Sequence, residues 1–271
     1  RLVLGLREIL DDPQIVQKEW QSDESDQAIH DYYDALWVYG DPAVYDLVRE
    51  YDLSDEVAQK LHYTGYLRQN LRLQFCGTEA SLLASIPSGR IMLCLVGGGQ
   101  DGDRLAEAFA RSDLPEDANG VILTGAFMPP ETLERLRGWA KMRPRLRVLE
   151  FIPEPALLIS RADRVVAMGG YNTICEMLSF ERHALIVPRI KPRREQLIRA
   201  ERMRDLGLID MLHPDKLCSQ AITEWLACDL KPLPLMRDKI DLDGLRRIPL
   251  LLAGLLGSSV NVLEKPLFPV P

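Results

Sequence analysis

The chain has 271 residues, of which 46% are hydrophobic and 27% are charged, and its formal net charge is −7. This composition is typical of a globular protein long enough for two domains, and the negative charge argues against a general affinity for nucleic acid phosphates. No apolar run approaches the ~18 residues of a membrane span. The five cysteines are scattered without a CxxC pair, so we expect no zinc site and a reducing, cytoplasmic setting. They are Cys76, Cys94, Cys175, Cys218 and Cys228.

The first seventy residues predict a partial parallel sheet, with short apolar strands separated by helices. Strands are predicted at 2–6, 35–39 and 62–67. Asp12 and Asp41 each stand before a proline, so Pro13 and Pro42 are predicted to open helices that these aspartates cap. Because an apolar strand begins directly at Arg1 with no segment leading into it, we expect an N-terminal portion to precede it.

The stretch 68–89 loses its periodicity, which predicts a linker with one short helical turn. The sequence therefore predicts four parts. These are the latter part of a first domain at 1–75, a linker at 76–89, a second domain at 90–228 and a tail at 229–271.

The second half alternates strands and helices regularly, and its strands are nearly continuous apolar runs, as in parallel sheets covered on both faces. We predict a doubly wound, Rossmann-like α/β domain that binds ligands at the carboxyl ends of its strands. Strands are predicted at 91–96, 120–125, 147–152, 164–168 and 183–188. Helices are predicted at 103–111, 130–142, 154–160, 173–180 and 194–206. In the tail, 242–256 predicts a helix that packs back across the domains.

A glycine-rich turn at 97–102 follows a buried strand and matches the pattern G-x-G-x-x-G. Glycines at such a place let backbone amides approach a phosphate at a helix N-terminus. A dinucleotide fold would need an acidic residue at the end of the next strand, where the sequence has Thr124, Gly125 and Ala126, so NAD is disfavoured. The alternative is a tight strand–helix turn without a ligand.

A second glycine turn begins at Gly169 and Gly170 and leads into a helix that carries Glu176. Thr173 and Glu176 have the spacing of a capping box, in which the carboxylate bonds its own helix start. Alternatively, Glu176 accepts hydrogen bonds from the hydroxyls of a ribose. We favour the second role, because a simple cap does not need two glycines.

A basic segment at 188–196 follows the last predicted strand. Lys191, Arg193 and Arg194 are either phosphate contacts or a solvated helix start. No histidine of the four stands beside a serine or cysteine in a nucleophile arrangement, so none is assigned a catalytic role. The histidines are His30, His62, His183 and His213.

With these motifs in order, the stretch from 91 to about 217 resembles the C-terminal half of GT-B glycosyltransferases of the MurG-like family 28 type. The resemblance depends on both glycine turns, on the segments 150–152 and 160–163, and on 187–188 and 196–200. Residues 1–70 resemble the latter part of the matching N-terminal domain in a predicted-glycosyltransferase branch. The resemblance implies two doubly wound parallel-sheet domains, the first of them incomplete.

The resemblance implies a nucleotide-sugar donor site, in which Ile152 meets uracil with its backbone, Glu176 binds the ribose hydroxyls and Gln196 touches the donor sugar. The glycines and their polar neighbours would hold the diphosphate. The full set of implied residues is Gly98, Gly99, Gln100, Ile152, Gly170, Asn172, Thr173, Glu176, Arg193, Arg194 and Gln196. Where the family has Asp-Arg-Gln-Gln, this chain has Arg-Arg-Glu-Gln at 193–196. Nothing matches the family's N-terminal glycine-rich loop and catalytic histidine, so no catalytic residue is assigned.

The implied activity is that of a hexosyltransferase, which moves a hexosyl group, with N-acetylglucosamine as one candidate, from a UDP-sugar to an unknown acceptor. No metal or other cofactor is implied. Peripheral contact with the inner membrane face is an open role for 248–256, beside that of a buried interdomain helix. Three alternatives stay open: a non-hydrolysing UDP-sugar 2-epimerase, a non-catalytic nucleotide-sugar-binding subunit that needs a partner chain, and, more distantly, an NAD-dependent enzyme.

Overall fold

The computed structural model describes residues 1–22, 25–75, 86–229 and 232–257. The chain forms two compact units, and the first combines Arg1–Arg68 with the residues from Arg237 onward. The second unit is Gln69–Met236. Most of the predicted linker, together with Cys76 and the last residues of the tail, lies outside the described residues.

The first unit contains a parallel three-stranded sheet in the order β1-β2-β3. Its strands are β1 Val3–Arg7, β2 Ala35–Tyr39 and β3 Leu61–Tyr63. Its first helices are α1 Pro13–Ser22, α2 Ser25–Tyr32, α3 Leu47–Tyr51 and α4 Asp55–Lys60. The three predicted strands are therefore confirmed, although the third is shorter than predicted.

One of the two predicted proline-led helix starts is confirmed and the other is wrong. Helix α1 begins at Pro13, and the Asp12 carboxylate accepts a hydrogen bond from the Gln14 amide at 3.1 Å. After Asp41, however, the chain makes only a turn, and α3 begins later with Asp46 as its N-cap. Asp41 instead uses its carboxylate to accept hydrogen bonds from the amides of Ala43 and Asp241, at 2.7 and 2.6 Å.

The second unit contains a parallel six-stranded sheet in the order β6-β5-β4-β7-β8-β9. The strands are β4 Arg90–Leu95, β5 Ala118–Leu123, β6 Leu146–Leu149, β7 Arg164–Ala167, β8 His183–Ile186 and β9 Asp210–Met211. The helices are α5 Asp103–Arg111, α6 Pro130–Met142, α7 Ala156–Arg161, α8 Tyr171–Phe180, α9 Glu195–Asp205 and α10 Ser219–Ala227. Short 3-10 helices lie at Asn70–Phe75, Pro214–Lys216 and Met236–Asp238.

The predicted alternation of strands and helices in the second unit is confirmed, and the differences lie at the ends of strands and of some helices. Strand β6 ends at Leu149, three residues before the predicted end, and β8 ends at Ile186, two residues before Pro188. Strand β9 was not predicted, because two residues carry no periodic signal. Cys94 and Cys175 are buried core residues, as their apolar surroundings predict.

The strand order places a crevice between β4 and β7. From β4 the chain adds β5 and β6 on one side, and it then returns to add β7, β8 and β9 on the other side. The connections that follow β4 and β7 therefore cover opposite faces of the sheet, and their loops separate at its carboxyl edge. Ligands of doubly wound folds bind at such a switch point. Both glycine turns lie there.

The predicted tail helix forms as α11, Gly244–Leu255, and it belongs to the first unit. The Gly244 amide donates to the Tyr66 carbonyl at 3.2 Å, and the Arg247 guanidinium donates to the Thr64 carbonyl at 2.8 Å. No helix in the described part of the chain is both long enough and apolar enough to cross a membrane.

Candidate functional site

At two positions of the first glycine turn, the neighbouring atoms leave no room for a side chain, so the packing requires glycine. Gly99 has φ +99°, and a Cβ there would lie 2.5 Å from the Thr124 carbonyl oxygen and 2.6 Å from the Met128 amide nitrogen. A Cβ at Gly102 would lie 2.3 Å from the Cβ of Val96. These glycines therefore have a structural role whether or not a ligand is bound.

Gly98 lies in the same turn but has room for a side chain. Its nearest neighbour would be the Phe127 ring, at an ordinary contact distance of 3.5 Å. The Phe127 amide donates to the Gly98 carbonyl at 2.8 Å, which joins this turn to the loop that follows β5. Gly98 and Gln100 are both exposed, so packing does not explain why residue 98 is a glycine.

The second turn presents an uncapped helix start. Gly170 is the N-cap of α8 with φ −62° and ψ 145°, a conformation open to any residue, and a Cβ there would meet nothing within 4 Å. No side chain caps the helix at this position, although Ser, Thr, Asp or Asn would stabilise it. Asn172 is exposed and Thr173 is partly exposed in the first helical turn. The first turn of α8 therefore has no capping side chain, and a helix N-terminus of this kind favours an anionic ligand.

The alternative role of Thr173 and Glu176, a capping box, is wrong. Helix α8 begins at Tyr171, because Gly170 takes the extended N-cap conformation three residues before Thr173. Thr173 therefore lies inside the helix, and Glu176 lies beyond the first turn. The Glu176 carboxylate does not bond its own helix start.

Glu176 is instead bonded by Arg72, a residue of the 3-10 helix Asn70–Phe75. Glu176 is 8% exposed, and Arg72 Nη1 donates to its Oε1 at 3.0 Å. Arg72 Nε also donates to Glu154 Oε2 at 2.8 Å, while Glu154 Oε1 accepts from the Ala156 amide at the start of α7. Burial raises the pKa of Glu176, and the charge and hydrogen bond of Arg72 oppose that rise.

The loop after β8 is tied to the first glycine turn by Arg189. Its Nη1 donates to Asp101 Oδ2 at 3.0 Å, and its Nη2 donates to Glu195 Oε1 at 2.9 Å. Its backbone amide donates to the side-chain oxygen of buried Gln196 at 3.1 Å. Two of the predicted regions, 97–102 and 188–196, are therefore brought together. Arg193 and Arg194 are exposed beside them.

Buried Arg199 of α9 supports the second turn. Its Nη1 donates to the Gly169 carbonyl at 3.1 Å, and its guanidinium lies 5.7 Å from the centre of the Tyr171 ring. Gly169 is itself packed, since a Cβ there would lie 3.2 Å from Gln196. The backbone that leads into α8 is thus held in place from α9.

Residues 151 and 152 lie in the loop after β6 and not at its end, which corrects the predicted strand. Ile152 is buried, whereas Phe151 is 65% exposed. Phe127, in the loop after β5, is 68% exposed. These loops follow neighbouring strands, so both exposed rings belong to the carboxyl edge of the sheet.

Sequence reasoning missed the side chains that organise the site, namely Arg72, Asp101, Glu154, Arg189 and Arg199. Arg72 lies in an aperiodic segment, which offers no signal. Arg199 does offer one, because it stands on the same face of α9 as the buried Gln196 and Met203. Within the described residues, no group of three or more His, Cys, Asp or Glu side chains is placed to hold a metal ion.

Comparisons with known proteins show that the second unit is similar to glycosyltransferases. A sequence profile described as the glycosyltransferase family 28 C-terminal domain matches residues 92–233. A curated relative, UDP-N-acetylglucosamine--N-acetylmuramyl-(pentapeptide) pyrophosphoryl-undecaprenol N-acetylglucosamine transferase of Prochlorococcus marinus (strain NATL1A), is 28% identical over 146 residues. That alignment covers 49% of this chain and 41% of the relative, so the match spans about two fifths of the relative's length.

Solved structures show the fold. CalG4, the calicheamicin glycosyltransferase, has a TM-score of 0.59 at 17% identity, and the match covers 90% of this chain and 60% of that one. The S. aureus MnaA–UDP co-structure has a TM-score of 0.61 at 14% identity and covers 97% of this chain and 69% of that one. The GT-B-like fold class, with two parallel-sheet units, is thereby confirmed.

Proposed function

The chain belongs to glycosyltransferase family 28, and from that membership we propose that it transfers a hexosyl group from a UDP-sugar to an acceptor. The observation that carries the proposal is the crevice between β4 and β7. An uncapped helix start at Gly170 and the buried carboxylate of Glu176 lie within the matched residues 92–233. A nucleoside diphosphate needs both an anion site and an acceptor for its ribose hydroxyls.

In this proposal the diphosphate lies against the two glycine turns. The exposed backbone of Gly98 and the uncapped helix start at Gly170, with the N-termini of α5 and α8, offset its negative charge. Gln100, Asn172 and Thr173 add side-chain donors. Gly99 contributes indirectly, because it fixes the turn that presents Gly98.

The rest of the donor is assigned to three further contacts. Glu176 accepts hydrogen bonds from the ribose hydroxyls, and the Ile152 backbone pairs with uracil. Gln196 touches the sugar, with its amide oriented by the bond to the Arg189 backbone. N-acetylglucosamine is the first sugar to test, because the curated relative is named for its transfer.

In the reaction, an acceptor hydroxyl oxygen bonds to the anomeric carbon of the sugar as the bond from that carbon to the diphosphate oxygen breaks. The leaving diphosphate takes the electron pair, and the proton of the acceptor passes to a base. Preorganised amides and the exposed Arg193 and Arg194 stabilise the charge that develops on the diphosphate. Neither the base nor the acceptor is assigned to a residue or a compound.

We also place the activity at the cytoplasmic face of a membrane, because the relative's acceptor is named as a pyrophosphoryl-undecaprenol. Leu250, Leu252 and Leu256 of the tail are 50%, 45% and 59% exposed, and Arg246 stands near them. Vesicles with anionic headgroups are expected to carry the protein upward in a flotation gradient. Replacing the three leucines with serine should abolish flotation, and unchanged flotation would contradict this placement.

Calorimetric titration with UDP tests the donor site. We expect saturable binding by the intact chain, and Glu176→Ala should weaken it by about 1–3 kcal/mol, the usual cost of losing a hydrogen bond to a charged group. The matched control is Glu107→Ala, since Glu107 pairs with Arg135 on the surface. If both variants bind UDP as the unchanged protein does, Glu176 does not meet the nucleotide.

Product analysis separates the proposed transfer from the alternatives. Incubation with UDP-N-acetylglucosamine alone should leave the sugar's configuration unchanged, whereas a 2-epimerase would produce its epimer without an acceptor. A non-catalytic subunit would bind UDP and give no product with any acceptor until a partner chain is added. Release of UDP that depends on an added acceptor supports the transferase.

A further inference from the structure

We propose that Arg72 is a positioning residue of the donor site, which holds the buried Glu176 carboxylate charged and oriented so that its second oxygen receives the ribose of a nucleoside diphosphate. This inference rests on the proposed function, in which Glu176 meets the ribose. Arg72 lies outside the profile match at 92–233. It belongs to the same compact unit as Glu176.

Arg72 is anchored so that its guanidinium has a fixed orientation. Its Nε bonds Glu154 Oε2 at 2.8 Å, and its Nη1 bonds both Glu176 Oε1 at 3.0 Å and Gln69 Oε1 at 3.2 Å. The backbone of the same segment is fixed to α8, because the Gln69 amide donates to Ser179 Oγ at 2.8 Å. A planar guanidinium that bridges two carboxylates sets their relative positions in a way that a single charge does not.

The bridge uses one oxygen of Glu176 and leaves the other for a ligand. The hydrogen bond that Glu176 accepts from Arg72 is made to Oε1, and none of the described residues donates a hydrogen bond to Oε2. A charged carboxylate has only acceptor sites, and these suit the two hydroxyl donors of a ribose. A protonated carboxyl would itself donate, and it would accept these hydroxyls less well.

The charge of Glu176 depends on the groups that face it. Burial raises its pKa, Arg72 on the 3-10 helix lowers it by its charge and hydrogen bond, and the neighbouring Glu154 raises it. Replacing Arg72 with a neutral residue should therefore favour the protonated form of Glu176. Neutralising Glu154 should favour the charged form.

The test is the pH dependence of UDP binding by the full chain, measured by calorimetry from about pH 5.5 to about pH 8.5. For Arg72→Gln we expect binding about ten-fold weaker than in the unchanged protein at the acid end, with the deficit shrinking as the pH rises. Glu154→Gln removes the neighbouring negative charge and should shift the acid limb in the opposite direction. Arg90→Gln is the matched control, because Arg90 bonds both oxygens of Asp117 on the surface.

A second readout uses 2′,3′-dideoxy-UDP as the ligand. The unchanged protein should prefer UDP, and Arg72→Gln should lose most of this preference at the acid end. If Arg72→Gln does not fold, Arg72→Lys keeps the charge and should keep the pH at which the acid limb falls, with weaker binding throughout.

Three results would overturn the positioning role. They are an equal loss of UDP affinity at every pH, an unchanged preference for UDP over the dideoxy compound, and a shifted acid limb in Arg72→Lys. Absence of UDP binding by the unchanged protein is a different failure. It would refute the proposed function itself.

Discussion

Gly99 and Gly170 illustrate two different reasons for a glycine at a phosphate-type turn. At Gly99 the backbone has a positive φ and a Cβ would collide with neighbouring backbone, so the fold requires glycine. At Gly170 the backbone conformation is ordinary and a Cβ would meet nothing. Only the second glycine lacks an explanation in the packing, and a ligand that approaches the backbone supplies one.

Gly170→Asp should therefore separate stability from binding. Aspartate at this N-cap should stabilise α8 by about 1 kcal/mol, yet its charge and bulk would stand where the diphosphate is proposed to lie. We expect a higher thermal unfolding midpoint with UDP binding lost. Gly99→Ala is the contrasting variant and should lower the midpoint, because its Cβ has no room. If Gly170→Asp bound UDP normally, the diphosphate would not lie at α8.

Burial of the Glu176 carboxylate should measurably lower the free energy of unfolding when this carboxylate is charged. Because its pKa is raised in the folded state, the unfolded chain ionises first as the pH rises past the ordinary value of 4.5. Stability therefore falls as the pH rises through the window between the unfolded and folded pKa values, and the loss persists above it.

Glu176→Gln does not titrate and should avoid that loss. We expect this variant to unfold at a higher temperature than the unchanged protein at neutral pH, because glutamine never carries a buried charge. Arg72 is not left unpaired, since it keeps Glu154. The gain should vanish below about pH 4, where Glu176 is protonated in both states. Thermal unfolding followed by circular dichroism at both pH values checks this, and a lower midpoint at neutral pH would contradict it.

Among the elements, those with a long apolar pattern could be predicted from the sequence. Helices α5 and α6 have the predicted bounds, because α5 repeats buried apolar positions and α6 begins at a proline. The sequence places the start of α8 too late, since a Thr-x-x-Glu pattern is a stronger local signal than an uncapped glycine. The residue at which an element starts or ends depends on hydrogen bonds that cannot be read from the sequence.

In the candidate site, the backbone turns could be predicted from the sequence, but the side chains that hold them could not. The glycine turns follow buried strands, and parallel topology brings such ends to one edge. The side chains that fix them were not predictable, because Arg72 and Glu176 are 104 residues apart and Arg189 and Asp101 are 88 apart. Pairings over such distances follow from the packing of whole elements and have no local pattern.

At the scale of the whole molecule, the second unit carries all the implied donor residues. It contains a complete six-stranded sheet with helices, whereas the first unit needs residues from both ends of the chain. A fragment of residues 69–236 should therefore unfold cooperatively and bind UDP with a Kd within about five-fold of the full chain, a difference of ~1 kcal/mol. Calorimetry and thermal unfolding test this. A fragment that folds but does not bind would contradict the assignment of the donor site to this unit.

The first unit is interrupted in sequence by the whole of the second, as the contact between Asp41 and Asp241 across 200 residues shows. During synthesis on the ribosome, the second unit emerges complete before α11 leaves the exit tunnel. The nascent first unit must therefore wait without α11, whose first turns bond the segment 64–67 after β3, while the later unit is already able to fold. This reverses the usual N-to-C order of domain folding, and it makes the interval before α11 emerges the period in which chaperones would be needed most.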